Sequence, residues 1–142
     1  MIPTVNILTK ELAETTYPSN TYRIIMKHDP YADPSKAVDR INGYVDDLES
    51  VKQAIYLILG TERYKFNIYS WDYGVELVDL FGKPMPYVIS ELPRRIKEAL
   101  IQDDRITDVL DFEFEINGKK LHTTFTVVTN FGNINTELEV TV

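Results

Sequence analysis

From Ile106 to Val142 the chain alternates apolar and polar residues with hardly a break, and no other stretch of it restricts the fold so tightly. Leu110, Phe112, Phe114 and Ile116 share one side of a period-two pattern, with Asp111, Glu113 and Glu115 on the other, as a half-buried strand requires. Asn117 and Gly118 suit the positive φ angles of a tight primed turn. A second run turns Leu121, Thr123, Phe125 and Val127 inward, and after residues 130–133 a third does so with Ile134, Leu138, Val140 and Val142. The segment reads as a three-stranded meander. If its last strand lies at the sheet border, unpaired N–H and C=O groups there offer a template for a strand of another polypeptide.

Upstream the pattern changes. Residues 1–20 hold scattered apolar residues without a period and are expected to form an extended arm, leaving residues 21–142 as a single domain. Tyr22–Met26 and Arg40–Val45 read as short strands, separated by a loop that Asp29-Pro30 and Asp33-Pro34 keep from being helical. Asp46, with Glu49 three residues on, caps a helix whose Leu48, Val51, Ile55, Ile58 and Leu59 share a face and which Gly60 ends. A second, short helix is expected from Asp72 or Tyr73 to Phe81, stopped by Gly82 and Pro84. A third starts near Ser90, with Pro93 at its third position and Leu92, Ile96, Ala99 and Leu100 inward. The expected fold class is α+β: about three helices packed on a mainly antiparallel sheet that ends in the C-terminal three-stranded meander.

Composition removes several kinds of chemistry. A chain of 142 residues can bury about two thirds of its unfolded surface in one core. With no Cys there is no disulfide framework, thiolate zinc site or thiol nucleophile, which fits a reducing compartment. Short, interrupted apolar stretches and an N-terminus without a basic region before a hydrophobic one give no expectation of a membrane span or signal peptide. A net charge of −7 disfavours phosphate backbones, so nucleic acid is not an expected partner. His28 and His122 have no second ligand at zinc spacing, and residues 29–39 lack the ligand pattern of a calcium loop. No metal, cofactor or membrane partner is expected. The rings of Tyr64, Phe66, Tyr69, Trp71, Tyr73 and Phe81 are expected mostly to pack in the core, with Tyr73 and Gly74 forming a backbone turn with an aromatic plug.

Within Gln53–Val109, four blocks carry a likeness: Thr61-Glu62-Arg63-Tyr64, Ile68-Tyr69-Ser70-Trp71-Asp72-Tyr73-Gly74, Leu80-Phe81-Gly82 and Asp103-Asp104-Arg105-Ile106. On these the chain resembles the baseplate wedge and sheath-initiator proteins of contractile phage tails, in the XkdS-like branch of PBSX-type prophages. It is more distantly similar to the lysozyme-like wedge protein of T-even phages and its type VI secretion counterpart. The resemblance implies a structural protein that sits on the wedge around the hub and starts the sheath. The wider family has a Glu, Pro, Arg motif before the first strand of the meander. Asp103 keeps the acid, Arg105 matches, and Asp104 departs from Pro, without the rigid turn that Pro would impose.

The residues leave Arg105 two uses: a forked pair with a carboxylate on a wedge component, or an internal pair with Asp103, Asp104 or Asp108. The resemblance favours the first. It implies a wedge interface of Glu62, Arg63, Asp103, Asp104 and Arg105, where Glu62 and Arg63 form a helix-end ion pair or interface anchors. A sheath interface is expected at Thr136, Leu138, Val140 and Val142. Expected partners are wedge and hub proteins and sheath subunits, with six copies per baseplate, assembled in the host cytoplasm and then carried in the virion or tail-like particle. Removal of residues 133–142 is expected to leave a folded chain that cannot assemble. The alternative is a peptidoglycan-cleaving muramidase of the tail with Glu62 paired to Asp72 or Glu76. Structural use of these carboxylates is the expectation here, and no catalytic residue is assigned.

Overall fold

The computed structural model describes residues 19–25 and 40–142; the arm up to residue 18, Met26, His28 and the two Asp-Pro pairs lie outside the described residues. An antiparallel pair, β1 (Thr21–Ile25) and β2 (Arg40–Val45), leads into α1 (Asp47–Leu59). After an irregular stretch come α2 (Met85–Leu100) and the meander β3 (Ile106–Asn117), β4 (Lys120–Thr129) and β5 (Gly132–Thr141), with β4 in the centre. The class is α+β, with antiparallel sheets and two α-helices rather than three. Among the described residues no helix is long and apolar enough to cross a membrane.

Asp46 begins α1 by accepting from the Asp47 N–H, so the sequence-predicted start holds. Its apolar face, Val51, Ile55, Ile58 and Leu59, meets Val88, Leu92, Ile96 and Leu100 of α2 and the inward side chains of the meander. Both helices feed one core. On β4 the predicted alternation is realised in full, with Leu121, Thr123, Phe125 and Val127 buried. On β5, Ile134 and Val140 are buried while Leu138 and Val142 pack on the core's margin. Cutting away residues 133–142 would strip that core of Ile134 and Val140, so a loss of stability is expected of the truncated chain alongside any loss of assembly.

The helix expected at residues 72–81 is not formed. Val75 makes a parallel bridge to Glu62, donating its N–H to the Thr61 carbonyl and accepting from the Arg63 N–H, which holds the chain extended. Only one 3₁₀ turn, Val78–Leu80, remains. The next helix starts earlier than expected. Pro84 caps it and Pro86 sits in its first turn, where a missing N–H costs nothing. Ser90 therefore lies inside α2, its hydroxyl donating to the Tyr87 carbonyl, and Pro93 lies deep in the helix, not at its third position.

Two irregularities interrupt β3, at Ile106/Asp108 and at Leu110/Glu113, the second with Asp111 at φ 55°. Each shifts the phase of the strand. The side chains turned toward the core are thus Ile106, Val109, Phe112 and Phe114, while Leu110 is 44% exposed, not inward as strict alternation would have it. Ile116 too is exposed. The following turn is centred on Gly118 and Lys119, because Asn117 still pairs with Lys120; only Gly118 takes positive φ there.

Thr123 carries a buried hydroxyl that finds no hydrogen-bond partner among the described residues. Thr123→Val keeps the shape and removes that polar atom, so it is expected to raise stability by about 1 kcal/mol. Chemical denaturation should show a higher midpoint at unchanged slope; a lower midpoint would mean the hydroxyl is satisfied after all.

Candidate functional site

Three surfaces bring together the sequence-predicted site residues. The first is a clasp below an aromatic loop. The Glu62 carboxylate accepts from the N–H groups of Leu77 and Val78 at 3.1–3.2 Å, and so caps the 3₁₀ turn. Arg63 is buried, donating from Nε to the Gly74 carbonyl and from Nη1 to Glu98 of α2 at 3.0 Å. Glu62 and Arg63 therefore do not pair with each other. Gly74, at φ 95°, closes the clasp, because a Cβ there would lie 2.6 Å from the Thr61 carbonyl oxygen.

From this base the loop between Arg63 and Gly74 carries its rings outward. Trp71 is 78% exposed, and Tyr64, Phe66 and Tyr69 are exposed as well, as is Phe81 beyond the clasp. Expected core packing is overturned: the core is filled by side chains of the helices and the meander, Phe125 among them, and the rings of this loop pack on one another. Tyr69 stacks on Tyr73 at 4.6 Å and Tyr64 lies 5.8 Å from Trp71. Tyr73 is half-buried beside Gly74, as an aromatic plug should be. Burial, then Tyr69 and Asp103, push its phenol above the usual tyrosine range.

The second surface is the turn before β3. The Asp103 carboxylate accepts from Arg105 Nε at 2.8 Å and Nη2 at 2.6 Å, and also from the Arg105 backbone N–H at 3.0 Å. Arg105 Nη1 reaches Ser50 of α1 at 3.1 Å. Of the uses open to Arg105, the internal fork with Asp103 is the one this structure contains. Burial works to raise the Asp103 carboxyl, but the hydrogen bonds and charge of Arg105 outweigh it and hold the group below the usual carboxylate range. Asp103 in turn pushes Arg105 up. Asp104 stays exposed at the mouth of a cleft of about 670 Å³ whose walls include Thr21, Gln53, Leu57, Tyr73 and Arg105.

The third surface is the outer edge of β5. Val142 donates its N–H to the Lys119 carbonyl at 2.7 Å, and the register runs unbroken from Lys120↔Thr141 to Thr129↔Gly132. Counting along this antiparallel ladder, residues 132, 134, 136, 138, 140 and 142 turn their N–H and C=O groups to β4. Asn133, Asn135, Glu137, Glu139 and Thr141 turn theirs away from it. The predicted sheath residues Thr136, Leu138, Val140 and Val142 thus lie on the core side with backbones directed to β4. The alternate set escapes a reading of the sequence because the parity of a ladder follows from its turn, which composition does not reveal. Among the described residues, β5 pairs with β4 alone.

A helix-backed sheet with an unbroken border strand, an intramolecular acid–arginine fork and an exposed aromatic loop define a chain with no assembled catalytic centre among its described residues and with surfaces of the kind that contact other proteins. The sequence profile of the contractile injection system sheath initiator matches residues 20–132, and the chain belongs to that family, in its PBSX-type branch. It is 41% identical over 99 residues to the phage-like element PBSX protein XkdS of Bacillus subtilis (strain 168), over 68% of this chain and 70% of that protein. The family makes this a structural protein of phage tails and related contractile particles.

Proposed function

We propose that this chain starts the sheath of a contractile tail by accepting a strand along β5. The observation that carries the reading is the contrast between the two borders of the meander. β3 is interrupted twice, and such irregularities twist an edge away from foreign strands. β5 keeps ten consecutive register pairs without a shift, so its outward groups form a straight row. An incoming strand would extend the β4–β5 ladder into the next subunit.

Contact with the wedge falls to the opposite set of features. The exposed Asp104 and the aromatic loop present charge and large apolar area, the residue types that anchor protein interfaces. Glu62, Arg63, Asp103 and Arg105 act there by holding the loop and the turn in shape. Wedge, hub and sheath proteins are the partners, with six copies around a baseplate that assembles in the host cytoplasm and is carried in the finished particle. Glu62 spends its acceptors on backbone N–H groups, a structural use that does not favour the muramidase alternative.

Asn135→Pro tests strand acceptance without opening the core. Asn135 is exposed and its N–H points away from β4, so proline removes one border donor and leaves the β4–β5 ladder in place. The purified variant should melt close to the parent, while particles made with it should lack sheaths by electron microscopy; Asn135→Ala should assemble. Normal sheathed particles with Asn135→Pro would sink the reading.

A further inference from the structure

The β5 border has a chemical bias as well as a shape. Its outward backbone positions carry Asn133, Asn135, Glu137, Glu139 and Thr141, whose side chains share the face of the sheet away from the helices. Glu139 is already met by Lys120 of β4 at 2.7 Å. Glu137 has a weaker neighbour, His122 at 3.5 Å, and its side chain is 76% exposed. Across the same face, the register aligns Glu113 with Thr124 and Glu137, and Glu115 with His122 and Glu139. Four carboxylates thus lie in two rows on one surface of a chain whose net charge is −7.

We infer that the strand docking on β5 is amphipathic and basic: Lys or Arg opposite Glu137, alternating with apolar residues that continue the row of Leu138 and Val140. This rests on the strand-acceptance reading above and specifies its partner. In an antiparallel addition Glu137 would exchange both backbone bonds with the residue directly opposite, which puts the two side chains on one face about 5.5 Å apart at the Cα atoms. A cation there gains an attractive cross-strand pair, and a carboxylate meets repulsion. The same rule bears on one way of pairing with a second copy of this chain. Antiparallel self-pairing centred on Glu137 would set it against its own carboxylate, so that register is disfavoured for a second copy and favoured for a basic strand.

Two labelled ten-residue peptides, one alternating Ile with Lys and one alternating Ile with Glu, titrated onto the full chain by fluorescence anisotropy, test this. The Lys peptide should bind roughly tenfold tighter than the Glu peptide. Glu137→Lys should remove the preference, and Asn135→Pro should weaken both peptides. Equal binding of the two, still lost with Asn135→Pro, would overturn the charge rule and leave strand acceptance standing. Lys-peptide binding indifferent to Asn135→Pro would be diffuse attraction to an acidic protein, and would overturn both. Absence of binding by either peptide would remove strand acceptance itself and the inference with it.

Discussion

Gly74→Ala is expected to destabilise the protein by about 3 kcal/mol, a melting temperature lower by roughly 10 °C for a chain of this size. Two costs combine. Alanine resists φ 95°, and its Cβ would press to 2.6 Å from the Thr61 carbonyl oxygen, which is backbone and already accepts from Val75. Relief requires parting the Glu62–Val75 bridge, and with it the base of the aromatic loop. Gly82 is the control, since it too has positive φ but no atom lies within 4 Å of where a Cβ would stand. Gly82→Ala should cost only the left-handed penalty of about 1–2 kcal/mol. Thermal melts that rank the two variants equally would show that the close approach at Gly74 is easily relaxed.

Asp103→Asn should cost about 2 kcal/mol at neutral pH, because a half-buried Arg105 loses the charge on its forked partner. Its pH dependence has a definite sign. The folded carboxyl is held below its ordinary value of 3.8, so ionised Asp103 stabilises the fold fully above that value, and the contribution is lost as the pH falls through the folded value. The stability gap between parent and variant should therefore be flat well above the ordinary carboxylate range and close as the pH falls below it. A gap that stays constant down to the acid limit would show that Arg105 does not depress this carboxyl.

The features legible in the sequence are local ones. The Asp46 cap, the apolar stripe of α1 and the alternation of β4 and β5 each depend on neighbours a few positions away, and each matches the fold. The start of α2 is obscured because Gly82 and Pro84 look like a stop, although proline is equally at home in a first turn. The missing helix at 72–81 turns on a bridge from Glu62 to Val75, whose partners lie on either side of a loop. Leu110 reads as inward because a bulge leaves no mark on a pattern of apolar residues. For the site, Arg105 and Asp103 are legible as a pair, whereas the buried reach of Arg63 to Glu98 and the outward parity of Asn135 and Glu137 depend on tertiary placement.

One glutamine has a mechanical consequence. Gln53 of α1 accepts from the Ile24 N–H at 2.9 Å and donates to the Tyr22 carbonyl at 2.8 Å, so a single side chain fastens β1 to the helix as a rung would. The β1–β2 pair adds a Tyr22–Tyr44 stack of its own, and none of its described side chains belongs to the buried cluster. The pair is thus held to α1 by these two hydrogen bonds and, just before β1, by the Ser19 hydroxyl donating to the Asp46 carboxylate. With so few ties, the pair is expected to open locally before the helices and meander do, which hydrogen exchange would show as earlier loss of protection at Tyr22–Ile24 than at β4.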